Sequence, residues 1–173
     1  MKLRSVALFC RSCLPLAVLV AANAQADELP DRKAGLWELK MFVPGTPETT
    51  SRQCIDAAFE KEMKGMFASL GGEKVCSKLD TKKTSTGYVV DAVCESYDIT
   101  TTSRTEFIGD FNSAYVMKQT WSVQAKGSGK GKAGQGKTMM VQAKWLGACP
   151  ADWKPGDVEM PGGHRVNAKD VAE

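Results

Sequence analysis

The chain has 173 residues, with 23 Lys and Arg against 20 Asp and Glu, which gives a net charge of +3 at pH 7. Residues 1–26 hold three of the bases and none of the acids, so the remainder carries 20 charges of each sign. A balanced domain exerts no general attraction on polyanions, which argues against a nucleic-acid-binding protein. The length that follows residue 26 suits one domain with one core.

Residues 1–26 have the features of a secretory signal. A positive region is followed by a short apolar run at residues 14–22 and by a small-x-small cleavage site at residues 24–26. The positive residues are Lys2, Arg4 and Arg11. Because the apolar run is shorter than the roughly 20 residues that cross a bilayer, we expect cleavage after Ala26 rather than a transmembrane anchor. The sequence therefore predicts a periplasmic or secreted protein.

Most of the chain after this signal shows the alternation typical of β-strands. Trp37, Leu39 and Met41 alternate with Glu38 and Lys40, which predicts a strand with one buried face. Similar patterns, separated by turn residues, predict six further strands. These segments are 49–54, 75–84, 88–97, 99–108, 115–123 and 139–145.

Residues 57–70 change to the spacing of an amphipathic helix. Asp56 suits the N-cap position, and Gly71 and Gly72 suit the helix end. The apolar residues of this segment are Phe59, Met63, Met66, Phe67 and Leu70. Because a single helix accompanies many short strands, we expect one face of a sheet to pack against it.

The predicted elements define a mainly β (α+β) fold. It consists of a curved antiparallel meander of about seven strands packed on one helix and held by two disulfides. We expect this domain to span residues 27–149. Residues 150–173 lack periodicity and contain several prolines and glycines, so they are expected to form an irregular C-terminal tail.

Four cysteines follow the predicted signal, and an even number in an exported protein indicates two disulfides. Cys76 and Cys94 each lie nine residues from Ser85, the centre of a predicted hairpin, and this spacing favours a cross-strand bridge. That pairing leaves Cys54 to join Cys149. Four cysteines allow three connectivities, of which this one is favoured. The spacing lacks the close pairs of a zinc site, so no metal is expected.

Residues 131–138 match the phosphate-loop pattern GxxxxGK[ST]. A functional phosphate loop needs a helix directly after it, whereas residues 139–145 alternate as a strand. We therefore interpret residues 126–137 as a solvated basic loop between two strands. Two functions of this loop remain as alternatives. The loop contacts an anionic partner, or Gly131–Thr138 binds a nucleotide or a phosphate. The candidate anion contacts are Lys126, Lys130, Lys132 and Lys137.

Catalytic constellations are otherwise missing from the sequence. The single histidine, His164, lies in the predicted tail, and the four cysteines after the signal are expected to be oxidised. A Ser-His-Asp or Cys-His arrangement would depend on His164 alone. The sequence therefore predicts neither an enzyme nor a cofactor.

Four short blocks resemble the DUF3617 family of bacterial exported proteins. The opening block, 32–38, reads RKAGLWE, and the block at 53–56 resembles the family's cysteine and helix start, although Asp56-Ala57 stands where the family usually has Thr-Pro. Thr86-Gly87-Tyr88, between Cys76 and Cys94, and the closing block 144–149 resemble the remaining two. The resemblance covers residues 32–149 and implies an exported, disulfide-bonded domain of no established biochemical function. It supplies no catalytic residues.

Two classes of function remain after these exclusions. The first is an exported, non-catalytic domain that binds a small apolar or lipid ligand between sheet and helix, where pockets commonly form. An alternative within this class is that the domain binds an envelope partner. The partner would be either an anionic component at the basic loop or a periplasmic protein at a strand edge. The second class is the nucleotide- or phosphate-binding factor described above.

Overall fold

The computed structural model describes residues 27–71, 76–125 and 136–170, with the side chains of residues 65–71 left out. The described residues form nine strands and one helix. The helix is α1 (Ala57–Gly71). The strands are β1 (Gly35–Phe42), β2 (Thr49–Ile55), β3 (Cys76–Lys83), β4 (Gly87–Ser96), β5 (Ile99–Asp110), β6 (Ala114–Ala125), β7 (Lys137–Gly147), β8 (Asp157–Glu159) and β9 (Arg165–Asn167).

All nine strands belong to one open antiparallel sheet with the order β3-β4-β5-β6-β7-β1-β2-β8-β9. Strands β3 to β7 form a meander, and the β1–β2 hairpin adds to it through β1, which pairs with β7. The mainly β fold with one helix is confirmed. About seven strands were expected and nine are present. The two additional strands are β8 and β9.

The expectation of an irregular tail is wrong for the part of the tail that forms β8 and β9. Strand β8 pairs with β2 through Glu159 and Val158, and β9 pairs with β8. The Asp157 side chain, which is nearly buried, accepts hydrogen bonds from the Lys154 amide (2.9 Å) and the Asn167 side-chain amide (2.8 Å). Strands of three residues are too short to show alternation, so contacts rather than sequence pattern define them.

We call the sheet face that packs against α1 the inner face, and the opposite one the outer face. Trp37, Ile55 and Ala143 form the core at the inner face together with Phe59 of α1, and all four are at most 3% exposed. Met63 packs against this core as well. The predicted packing of one sheet face on the helix is confirmed. The predicted contacts of Met66, Phe67 and Leu70 lie outside the described side chains.

The outer face carries charged side chains, many of them paired across strands. Arg104 on β5 contacts Asp91 on β4 at 3.0 Å, and Arg52 on β2 contacts Glu159 on β8 at 3.4 Å. These side chains are partly exposed, so each pair adds little to stability. Their distribution identifies the solvent-facing side of the sheet.

Both predicted disulfides are confirmed. Cys54 is bonded to Cys149, with Cα atoms 5.6 Å apart, and Cys76 is bonded to Cys94, with Cα atoms 3.8 Å apart. The first bridge joins the end of β2, just before α1, to the segment that follows β7. The second joins β3 to β4, where the two cysteines face each other across the hairpin.

Residues 27–34 form a strap that links α1 to the sheet. At its start, the Asp27 amide donates to the Thr81 carbonyl (3.1 Å), and the Asp27 carboxylate accepts from the Lys83 amide (2.7 Å). Lys64 of α1 donates to the Leu29 carbonyl at 2.8 Å. Within the described residues, no helix is long and apolar enough to span a membrane.

Candidate ligand-binding face

The residues that resemble family motifs form a structural junction at the start of β1. The Trp37 indole N–H donates to the Lys33 carbonyl (2.8 Å), and the Trp145 indole N–H donates to the Ala34 carbonyl (3.1 Å). The Lys33 ammonium lies 3.6 Å from the centre of the Trp145 ring system. These contacts fix the chain where it enters the sheet, and they indicate a structural role for the motif.

A polar cluster lies at the covered end of the inner face. Arg32 of the strap forms an ion pair with Glu60 of α1, which is 6% exposed, and donates to the Gln53 side chain at 3.3 Å. Burial raises the pKa of the neighbouring Tyr115 hydroxyl. Because the Glu60 carboxylate is paired, the cluster is suited to anchoring α1 rather than to general acid–base catalysis.

Beyond this covered end, the inner face continues as an apolar surface in the middle of the sheet. We call Met117 and Trp121 of β6 together with Met139 and Val141 of β7 the β6–β7 strip. Met117 pairs with Val141, while Met139 pairs with Gln119, a half-buried polar residue at the inner-face position between Met117 and Trp121. Val141 is 8% exposed, while the other three members of the strip are only half-buried. The strip therefore extends from the core toward solvent.

The strands beside the strip continue this surface. On β1, Leu39 is half-buried and Met41 is 40% exposed. On β5, the half-buried inner-face residues are Phe107, Thr105, Ser103 and Thr101. Central strands of a sheet normally hold its most deeply buried residues, and here several of them are incompletely covered by the described part of the chain.

Charge is distributed very unevenly between the two faces. In the described strands β4 to β7 and β1, strand pairing places a single charged residue, Lys137, at an inner-face position. The outer face of the same five strands carries charges throughout. These include Glu38, Lys40, Asp91, Glu95, Arg104, Glu106, Lys118 and Lys144.

Three cavities are lined by described residues, and the third of them includes one member of the strip, Trp121. One of about 890 Å³ lies between the start of α1 and the tail, and its Asp152 and Arg165 side chains are paired at 2.9 Å. One of about 440 Å³ on the outer face is lined by Phe42, Pro44 and Met140, among others. A third, of about 430 Å³, includes the paired Arg104 of the outer face. Of the three, the first lies between the helix and the sheet, at the edge strands β8 and β9 rather than at the strip.

The residues that follow the phosphate-loop pattern form a strand, as the alternation from residue 139 predicts. Lys137 and Thr138 begin β7, where Thr138 pairs with Thr120 and the two hydroxyls are 3.4 Å apart. A strand therefore follows the pattern where a phosphate loop requires a helix, which removes the support for nucleotide binding. Of the candidate anion contacts, Lys126, Lys130 and Lys132 lie outside the described residues, as does Gly131.

His164 is exposed in the turn between β8 and β9, where its carbonyl accepts from the Met160 amide at 2.8 Å. Among the described residues, no group of three or more His, Cys, Asp or Glu side chains has an arrangement able to hold a metal ion. The sequence did not reveal that Lys137 shares a face with the apolar strip. Extending the alternation that begins at residue 139 back by two residues would have placed Lys137 on the same face as the strip.

In the part of the chain that the structure describes, the fold and the site define a disulfide-bonded, open antiparallel β domain with one helix and an incompletely covered apolar face. The family of proteins of unknown function DUF3617 matches residues 32–149, more than half of the chain, and the chain belongs to this family. Comparison with curated proteins and with solved structures finds no match.

Proposed function

We propose that this protein is exported to the periplasm and acts there as a non-catalytic binding protein whose inner face takes up a small apolar or lipid ligand. The β6–β7 strip supports this proposal, because it is apolar, central in the sheet and still half-exposed. The signal-like features of residues 1–26 support export. Neither the paired Glu60 nor the exposed His164 favours catalysis.

Coverage of the strip by a ligand supplies the binding energy. Removing about 200 Å² of apolar surface from water contributes roughly 5 kcal/mol. The hydroxyls of Ser103 and Thr105 at the side of the strip offer hydrogen bonds to a polar group of the ligand. A mainly apolar site with a few polar groups is the usual composition of a small-molecule site.

The test uses the uncharged dye N-phenylnaphthylamine, whose fluorescence rises in apolar surroundings, with the disulfide-bonded protein from residue 27 onward. We expect saturable dye binding that a Met139→Glu change abolishes, because it places a carboxylate in the strip. The matched control is Met140→Glu, which alters the adjacent residue on the outer face. Circular dichroism and urea unfolding establish that both variants are folded.

The two variants separate the two faces of the sheet. Loss of dye binding in Met140→Glu alone would assign binding to the outer cavity beside Phe42 and contradict the proposal. Absence of saturable dye binding to the unaltered protein would also contradict it.

A further inference from the structure

We propose that the ligand is a single-chain amphiphile with a carboxylate head group. Its tail lies along the β6–β7 strip and its head group contacts Lys137. This inference rests on the proposed function and adds the ligand's chemical class and orientation.

Lys137 lies in line with the strip. Alternation along β7 places residues 137, 139, 141 and 143 on the inner face, and Lys137 pairs with Trp121 across to β6. Exposure rises along this line, from 3% at Ala143 and 8% at Val141 to a half-buried Met139 and an exposed Lys137. The buried end therefore suits a hydrocarbon tail, and the exposed end suits a hydrated head group.

The charge pattern selects the sign of the head group. Lys137 is the one charged residue at an inner-face position in strands β4 to β7 and β1 of the described chain. A cation at the solvent end of an otherwise uncharged apolar surface complements an amphiphile with a negative head. A fully neutral hydrocarbon would gain nothing from Lys137.

The dimensions of the strip favour one acyl chain. From Val141 to Lys137 the strand rises roughly 13 Å, at about 3.3 Å per residue, which matches a medium-chain acyl group. The strip itself is two strands wide, roughly 5 Å between strand axes. On the β5 side, the hydroxyls of Ser103 and Thr105 border it and disfavour contact with a second acyl chain, whereas Leu39 and Met41 of β1 continue the apolar surface on the β7 side.

The experiment compares dodecanoate with dodecanol as competitors of N-phenylnaphthylamine, both below the concentrations at which they aggregate. The two have the same chain and differ in charge. We expect dodecanoate to bind about fivefold more tightly than dodecanol, as for a solvent-exposed ion pair, and raised salt to reduce the difference. Lys137→Gln should remove this preference and leave dodecanol binding unchanged. Lys144→Gln, on the outer face of the same strand, is the matched control and should keep it.

Each other outcome contradicts a defined part of the proposal. Equal binding of dodecanoate and dodecanol to the unaltered protein overturns the carboxylate head group but leaves apolar binding intact. A preference that persists in Lys137→Gln overturns the assignment of the head group to Lys137. Failure of both compounds and of the dye to bind would instead overturn the proposed function.

Discussion

Asp56 fixes the start of α1 through its side chain. The Phe59 amide donates to the Asp56 carboxylate at 2.7 Å, and the Glu60 amide donates to the Asp56 carbonyl at 3.0 Å. A side-chain acceptor at this position satisfies one of the amides that a helix leaves unpaired at its start. Here Asp caps the helix where the resemblance to the family leads one to expect Thr, and the same function is kept.

Replacement of Asp56 by Ala should destabilise the protein by about 1 kcal/mol. The Phe59 amide would lose its acceptor, and the unfavourable contribution would appear in the free energy of unfolding. Urea unfolding under oxidising conditions measures it. Asp98→Ala, an exposed residue between β4 and β5, is the control and should change little. An equal loss of stability in both variants would show that the cap contributes nothing.

Asp157 anchors the tail as a nearly buried carboxylate. Hydrogen bonding from the Lys154 amide, with further support from Asn167 and the Arg165 charge, holds the pKa of this carboxyl below its usual range. A lowered pKa in the folded state means that the charged form stabilises folding. This contribution is complete above the unfolded pKa of about 3.9.

Acid should therefore weaken the attachment of the tail. The contribution of Asp157 is lost as the pH falls through its lowered, folded-state pKa. Asp157→Asn should reduce stability at neutral pH and flatten the fall in stability toward about pH 3. Urea unfolding at several pH values measures both effects. If Asp157→Asn shows the same acid dependence as the unaltered protein, other carboxylates dominate that dependence and the assignment to Asp157 is wrong.

At the scale of elements, the junction between β1 and β7 explains why the motif at the start of β1 contains a glycine, Gly35. Gly35 has φ of 133°, a backbone conformation that side chains disfavour, and an added Cβ would clash with the Gly147 carbonyl oxygen. The pairing of β1 with β7 shifts register between Leu36 and Trp37, next to this glycine. Trp37, which directly follows the shift, is fully buried in the core.

Gly35→Ala should destabilise the domain by about 3 kcal/mol, since it combines a strained backbone with a steric clash. Gly136→Ala is the matched control, because it has space for the methyl group, with Thr120 Cγ2 nearest at 3.7 Å. Thermal unfolding monitored by tryptophan fluorescence compares the two. A stable Gly35→Ala variant would mean that the junction relaxes and that the motif glycine serves another purpose.

Alternation was sufficient to predict most strands but not their neighbours. The segments at 115–123 and 139–145 were predicted as strands, and both lie within β6 and β7. Their pairing, which brings Trp121 beside Lys137, depends on the register of a hairpin whose turn the pattern does not fix. For this reason Lys137 was assigned to a basic loop rather than to the inner face.

At the scale of the whole molecule, the tail completes the sheet. Strand β8 covers part of the edge of β2, the Gly156 amide donates to the Cys54 carbonyl at 2.8 Å, and Ala168 packs against the core. An uncovered edge strand invites pairing between molecules. The tail therefore belongs to the folded unit, beyond the residues that match the family.

Removal of residues 150–173 should destabilise the protein by about 3 kcal/mol, because Val158, Val166 and Ala168 lose their partial burial. It should also promote self-association through β2. Urea unfolding and sedimentation velocity measure these effects. Removal of residues 171–173 alone is the control and should be neutral. A truncated chain that stays monomeric and equally stable would show that the tail contributes nothing to the stability of the folded domain.

The sequence alone determined the local features of this protein. The helix start at Asp56, the predicted strands and the family depend on residues close together in the chain, where alternation, capping and short motifs act. Tertiary structure decided the attachment of β8 and β9 and the position of Lys137 at the end of an apolar strip. These features arise from register and from contacts between distant segments, whose energies depend on spatial neighbours that the local pattern does not specify.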